Sequence, residues 1–199
     1  MLIENLRSYR LILASRSLRR QQLMRELGID FEIVLKDFDE SYPEGLNGEE
    51  IARHVAGKKA KTFNGEVSDN EIVITADTIV WCSGNVLGKP VDAHDAINML
   101  REISGKIHEV ITGVSLLTYD KNVTFTETTR VTFEEMSEAE IFYYVEKYAP
   151  YDKAGAYGIQ EWIGLAACSH IDGSYFNVVG LPVQRLYKEL KRLVSCNIS

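Results

Sequence analysis

Cysteine is scarce. Three occur in 199 residues, Cys82, Cys168 and Cys196. They are odd in number and widely spaced, so they form neither a disulfide framework nor a zinc pattern, and they read as reduced cytosolic thiols. Cys82 follows an apolar strand and reads as packing. The four histidines, His54, His94, His108 and His170, show no metal-ligand spacing. His54 and His94 fall on predicted helices, His108 begins a strand, and none is assigned to catalysis. No apolar run approaches the roughly 20 residues that cross a bilayer. The opening Met1–Ser8 lacks a basic stretch followed by an apolar one, so neither membrane insertion nor secretion is expected, and the expected location is cytoplasmic. Positive charge is in deficit, with 22 Lys and Arg against 29 Asp and Glu and a net charge of -7, which argues against nucleic acid as a partner. There is no repeat, no low-complexity tract and no Pro- or Ser-rich linker. Neither G-x-x-x-x-G-K-[ST] nor G-x-G-x-x-G occurs, leaving a P-loop and a dinucleotide-binding turn unsupported.

What is present is ordinary in bulk and uneven in detail. Hydrophobic residues make up 45% and charged residues 26%, as in a globular domain able to bury a core without staples. The length suits a single domain over 1–199, or two small lobes sharing a core, with no clean linker between them. Strand and helix patterns alternate. Leu11–Ala14 reads as a strand, and Ser17 caps a helix running to about Leu27 with Gly28 as its stop. Phe31–Leu35 reads as a second strand, followed by a loop to Gly48, and Glu49–Phe63 as a helix. Glu71–Trp81 is strongly β-branched and reads as a central strand interrupted at Ala76-Asp77-Thr78, followed by a hairpin turn at Gly84-Asn85. Asp92–Ile103 is an amphipathic helix capped by Asp92. His108–Tyr119 and Lys121–Glu134 read as two long strands with one wet face. Ser137 and Glu140 form a capping box for a helix to about Tyr148. Gly155–Gly180 reads as mostly irregular, and Leu181–Leu193 as a closing amphipathic helix. The class is α/β, or α+β with a mixed sheet.

Five clusters stand out against this background. In Leu11-Ile-Leu-Ala-Ser-Arg-Ser-Leu-Arg-Arg20 an apolar strand stops at hydroxyls and guanidinium groups. Arginine's fixed fork suits phosphate oxygens, and the helix behind the turn adds a positive end and backbone N–H groups, so Ser15, Arg19 and Arg20 point to a compact polyphosphate. A solvated helix start is the plain reading of the same residues. Asp37-Phe-Asp-Glu40 gathers carboxylates of the kind that hold Mg²⁺ or Mn²⁺, although acidic loops are commonly just soluble. Asp77 interrupts an apolar strand, and a buried carboxylate demands a partner, a metal or a chemical role. Lys89, in Leu87-Gly-Lys-Pro90, sits beside a proline that stiffens the backbone, which favours a positioned phosphate contact. In Asp152-Lys-Ala-Gly-Ala-Tyr-Gly-Ile-Gln160 the glycines permit close approach to a ligand. Gln160 offers the donor and acceptor that a nucleobase edge requires.

In this order and spacing, the clusters resemble the Maf family of nucleoside triphosphate pyrophosphatases. The resemblance runs from about Leu11 to Leu190. It also takes in Lys59-Ala60, His108-Glu-Val-Ile-Thr-Gly-Val114 and Gly173-Ser-Tyr-Phe-Asn-Val-Val-Gly-Leu-Pro182. It implies an elongated mixed sheet flanked by helices, related to the inosine-triphosphate pyrophosphatases, with two lobes and a central cleft, and often a homodimer. It implies hydrolysis of a nucleoside triphosphate to the monophosphate and pyrophosphate with a divalent cation, Mg²⁺ or Mn²⁺. Ser15, Arg19, Arg20, Lys59 and Lys89 would then bind phosphates. Glu40 and Asp77 would hold the metal or activate water, with Asp77 the usual candidate for the base and the division of roles left open. The pairing of Ala-Asp-Thr with Ile-Gln is similar to the branch acting on dTTP and UTP, with Thr78 and Gln160 reading the pyrimidine. Three places depart from the pattern: Leu18 stands where proline is usual, Tyr148-Ala-Pro150 replaces Gly-Glu-Pro, and Glu161 replaces the glycine after Gln160. Alternatives are a non-catalytic nucleotide-binding regulator of septum formation or cell division, and a pyrophosphatase for 7-methyl-GTP or other modified nucleotides.

Overall fold

The computed structural model describes residues 2–195, so Cys196 lies outside the described residues. Seven strands and eight helices are found among them: α1 (Leu2–Leu6), β1 (Arg10–Leu13), α2 (Leu18–Glu26), β2 (Glu32–Ile33), α3 (Gly48–Lys61), β3 (Glu71–Cys82), β4 (Asn85–Leu87), α4 (Ala93–Ile103), β5 (Ile107–Leu117), β6 (Asn122–Phe133), α5 (Glu138–Tyr148), α6 (Trp162–Ala166), β7 (Cys168–Asp172), α7 (Tyr175–Val179) and α8 (Val183–Ser195). The strands join in one mixed sheet, ordered β2-β1-β3-β5-β6-β7, with β4 paired to β3. β1 runs parallel to both β2 and β3, placing Leu13 level with Ile33 and Ile74. The β3–β4 and β6–β7 pairs are antiparallel. This is the mixed α/β class expected from the alternating pattern.

The chain divides into two compact units. One comprises Met1–Asp77, Thr112–Glu127 and Gly180–Ser199, the other Thr78–Ile111 and Thr128–Val179. In the first, Leu11 to Leu13 and Ile72 to Ala76 are buried, as near-continuous apolar runs of a parallel sheet must be. α3 turns Ile51, Ala52, Val55, Ala56 and Ala60 inward, a helical stripe whose small residues allow close packing. The approach is so tight that a Cβ on Gly113 of β5 would lie 2.1 Å from the Ala52 carbonyl oxygen. Buried Thr75 fastens the same helix by donating through Oγ1 to the Ala56 carbonyl at 2.7 Å. Asn47 and Glu50 close a reciprocal capping box at the start of α3. In the second unit, Ala96, Leu100 and Ile103 of α4 pack with Ile141, Tyr144 and Val145 of α5, Phe133 and Ile163.

Several elements differ from their sequence patterns for identifiable reasons. β3 is unbroken through Ala76-Asp77-Thr78, because strand pairing is a backbone property that a polar side chain does not interrupt. Cys82 pairs with Asn85, so the hairpin loop is Ser83-Gly84, one residue earlier than Gly84-Asn85. Both loop residues have positive φ, 50° and 86°, the requirement of the mirrored turn that suits twisted strands. The stretch Gly155–Gly180 holds α6, β7 and α7. Each has five residues, too few for periodicity to register and stabilised by tertiary packing. α1 was not anticipated either; its buried Leu2 and Leu6 lie one turn apart, and it packs on α8.

Candidate active site

The phosphate-type turn is built at the end of β1. Ala14 N–H still donates to the Ile74 carbonyl at 2.9 Å, so the turn leaves the sheet beside β3. Ser15 is buried; its hydroxyl accepts from Ser17 N–H at 3.2 Å and its carbonyl accepts from Gln21 Nε2 at 3.3 Å. Ser17 caps α2, accepting from Arg20 N–H at 3.4 Å. Arg20 has a task the sequence did not disclose. Its Nη1 donates to the Ala76 carbonyl and its Nε to the Gly180 carbonyl, each at 2.8 Å. One side chain therefore ties the turn to the residue before Asp77 and to the segment leading into α8. Burial pulls the Arg20 pKa down, while the Asp77 carboxylate pushes it up and the Arg19 charge pulls it down. Ser15, Arg19, Arg20 and Asp77 thus form one neighbourhood of the first unit. Asp77 and Arg19 are half-buried, a setting in which charges interact more strongly than in open water.

Lys59 and the acidic loop form a second neighbourhood of the same unit. The Lys59 ammonium lies over the Phe38 ring, 5.1 Å from its centroid, a cation–π contact. The adjacent Lys58 donates to Asp39 at 2.8 Å and to the Ser41 carbonyl at 3.1 Å. Hydrogen bonding from Lys58, then from Ser41, holds the Asp39 carboxyl well below the usual carboxylate range. The loop Asp37–Glu40 is thereby pinned on α3, with Asp39 engaged and Glu40 exposed beside it. The sequence pattern does not disclose the roles of Phe38 and Lys58; the Lys58-Lys59 doublet and the mixed acidic and aromatic loop are the signal that points to them.

Thr78, Lys89 and Gln160 belong to the second unit. Thr78 follows Asp77 along β3 and is half-buried. Lys89 is exposed on the loop after β4, and Gly155 N–H donates to the Gly88 carbonyl at 2.9 Å, joining that loop to the glycine-rich motif. Gly155 adopts φ +66°, and a Cβ there would meet Val80 at 2.8 Å, so glycine is required on both counts. Gln160 is exposed. In the core of this unit, His108 Nε2 and the Tyr157 hydroxyl are hydrogen-bonded at 2.8 Å, and Phe133 meets both rings edge-on. Burial pushes the His108 pKa down to about 4, so its imidazole is neutral near pH 7. His54 and His94 are exposed on α3 and α4.

No cluster of three or more His, Cys, Asp or Glu side chains suited to a metal occurs among the described residues. Mg²⁺ is commonly bound through one or two carboxylates completed by substrate phosphates. Asp77 on β3 and Glu40 in the exposed loop before α3 are the carboxylates expected to serve in that way.

A family model described as Maf-like protein matches residues 10–193. The chain belongs to the Maf family. The relatives it matches include a Bacteroides fragilis protein named dTTP/UTP pyrophosphatase, 52% identical over 193 residues, covering 96% of this chain and 100% of that protein. A Flavobacterium johnsoniae protein of the same name is 50% identical over 194 residues, covering 98% of this chain and 100% of that one. Among solved structures, a HAM1 protein from Coxiella burnetii matches at 14% identity and a TM-score of 0.47, covering 96% and 98% of the two chains, a likeness too slight to carry weight. The departures of this Maf chain now have local settings. Leu18 is the first residue of α2 and is 77% exposed, a position where proline is favourable but dispensable. Ala149 ends α5 in the left-handed region, φ +42°, a conformation that favours glycine or asparagine. Glu161 is half-buried and paired with Lys153 at 3.2 Å.

Proposed function

We propose that this chain hydrolyses dTTP and UTP to the monophosphate and pyrophosphate. The observation that carries the reading is the Arg20 clamp, which brings the Ser15–Arg20 turn and the Asp77 carboxylate together on neighbouring strands. A cationic anion-binding turn beside a carboxylate is the pair of functions that phosphoanhydride hydrolysis needs, one to bind charge and one to take a proton. The names of the relatives, matched over nearly the full chain, support the substrate class. Ser15, Arg19, Arg20, Lys59 and Lys89 are proposed to bind the triphosphate, with Thr78 and Gln160 reading the pyrimidine. Asp77 is proposed to accept the proton of the attacking water. Mg²⁺ or Mn²⁺, held by Asp77 and Glu40, would supply charge neutralisation of the phosphates and a more acidic water. A cytoplasmic homodimer completes the proposal. No described helix is long and apolar enough to cross a membrane.

The test is pyrophosphate release from a panel of canonical and modified nucleoside triphosphates, with Mg²⁺, with Mn²⁺ and with chelator. Metal-dependent release concentrated on dTTP and UTP is expected. Preference for 7-methyl-GTP or another modified base would overturn the pyrimidine assignment. Nucleotide binding without release would replace the enzyme with a regulator.

A further inference from the structure

The segment presenting Gln160 is fastened at several points. Glu161 N–H donates to the Gly158 carbonyl at 2.9 Å, closing a four-residue turn with Gln160 at its third position. Both ends of this turn converge on one phenol. The Tyr144 hydroxyl accepts from Gly158 N–H at 3.0 Å and donates to the Glu161 carboxylate. Burial and the adjacent Glu161 carboxylate raise the Tyr144 pKa, so the phenol stays protonated and remains a donor. The other Glu161 oxygen meets Lys153 Nζ at 3.2 Å, and these side chains are only 20% and 10% exposed. Lys153 also donates to Asp152 at 2.8 Å. Gly158 makes the arrangement possible: a Cβ there would come within 2.9 Å of the Glu161 carboxyl carbon and 3.1 Å of the Lys153 stem. The Tyr144 ring is itself held by stacking on Tyr148, centroids 5.0 Å apart, and Trp162, next after Glu161, meets Tyr143 edge-on at the same separation.

We propose that Glu161, Tyr144 and Lys153 are positioning residues that set base selectivity by holding rigid the turn that carries Gln160. The proposal rests on the reading of Gln160 as a base contact. A glutamine discriminates between bases only if its amide is held in one orientation, because a mobile amide presents donor or acceptor with equal ease. A glycine after Gln160 would supply neither the carboxylate bridge to Tyr144 nor the partner of Lys153. The residue that departs from the family pattern is therefore the one that braces the turn carrying the reader.

The test compares kcat and KM for UTP and CTP in the wild type, E161G, Y144F, E161Q and Q160A, with circular dichroism melts to verify folding. E161G and Y144F are expected to reduce the UTP:CTP ratio of kcat/KM by roughly tenfold, the scale of one well-placed polar contact. The loss should fall on KM for UTP, with kcat kept. E161Q, whose amide oxygen can still accept from Tyr144, should retain most of the selectivity. Y144F keeps the ring and its stacking, and decides the matter if E161G does not fold. An unchanged ratio in the folded variants, alongside an altered ratio in Q160A, would overturn the positioning role alone. An unchanged ratio in Q160A as well would remove Gln160 as the base reader, and the proposal with it.

Discussion

Lowering the pH from 7 to 4 should destabilise this fold in part through one buried imidazole. His108 is buried, hydrogen-bonded to Tyr157 through Nε2, and its Nδ1 has no hydrogen-bond partner. Its pKa is pushed from 6.5 to about 4 by burial. The unfolded chain therefore takes up a proton at a higher pH than the folded one. Stability is fully present above pH 6.5 and is lost as the pH falls toward 4, below which the loss levels off. At about 1.36 kcal/mol per pKa unit, the deficit grows to about 2 kcal/mol at pH 5 and about 3 kcal/mol at pH 4. Other groups titrate over the same range, so the measurement is a difference. Urea unfolding followed by circular dichroism would be run at pH 7, 6, 5 and 4 on the wild type and on His108→Gln, which has no imidazole to protonate. The variant is less stable at pH 7 because its ring contacts with Phe133 and Tyr157 are gone. That gap should narrow by about 3 kcal/mol toward pH 4, since only the wild type carries the histidine penalty. Parallel loss in both proteins would refute the argument and show that His108 gains a proton in the fold without cost.

The clamp geometry separates two adjacent arginines. Arg20→Ala removes the two hydrogen bonds to the Ala76 and Gly180 carbonyls and should cost about 2–4 kcal/mol of folding stability, measured by denaturant titration. Arg19→Ala should raise KM and lower kcat together in a pyrophosphate-release assay, since the side chain is proposed to touch both ground and transition states. Asp77→Asn should keep the fold, as seen by circular dichroism, and lose at least roughly 10²-fold in turnover, the loss typical of removing a general base. Wild-type-like turnover would remove Asp77 from the mechanism.

The sequence by itself determined the class of fold and most of the elements. The β-branched run Glu71–Trp81, the cap at Asp92 and the capping box of Ser137 and Glu140 are local devices, and each appears in the structure where its chemistry calls for it. It also disclosed the cationic turn, because a strand ending in hydroxyls and guanidinium groups is legible without any partner. What it could not disclose is which groups are engaged by contacts between residues far apart in the chain. Arg20 is separated by 56 and 160 residues from the two carbonyls it binds. Asp39 is paired with a lysine on α3, and Glu161 is held by Tyr144 and Lys153. The same limit hid the small elements between Gly155 and Gly180, which have too few residues to announce a period and exist because their neighbours pack them. A side chain's type sets what it can bind. Burial and the partners supplied by tertiary structure decide whether it is a ligand, a clamp or a prop.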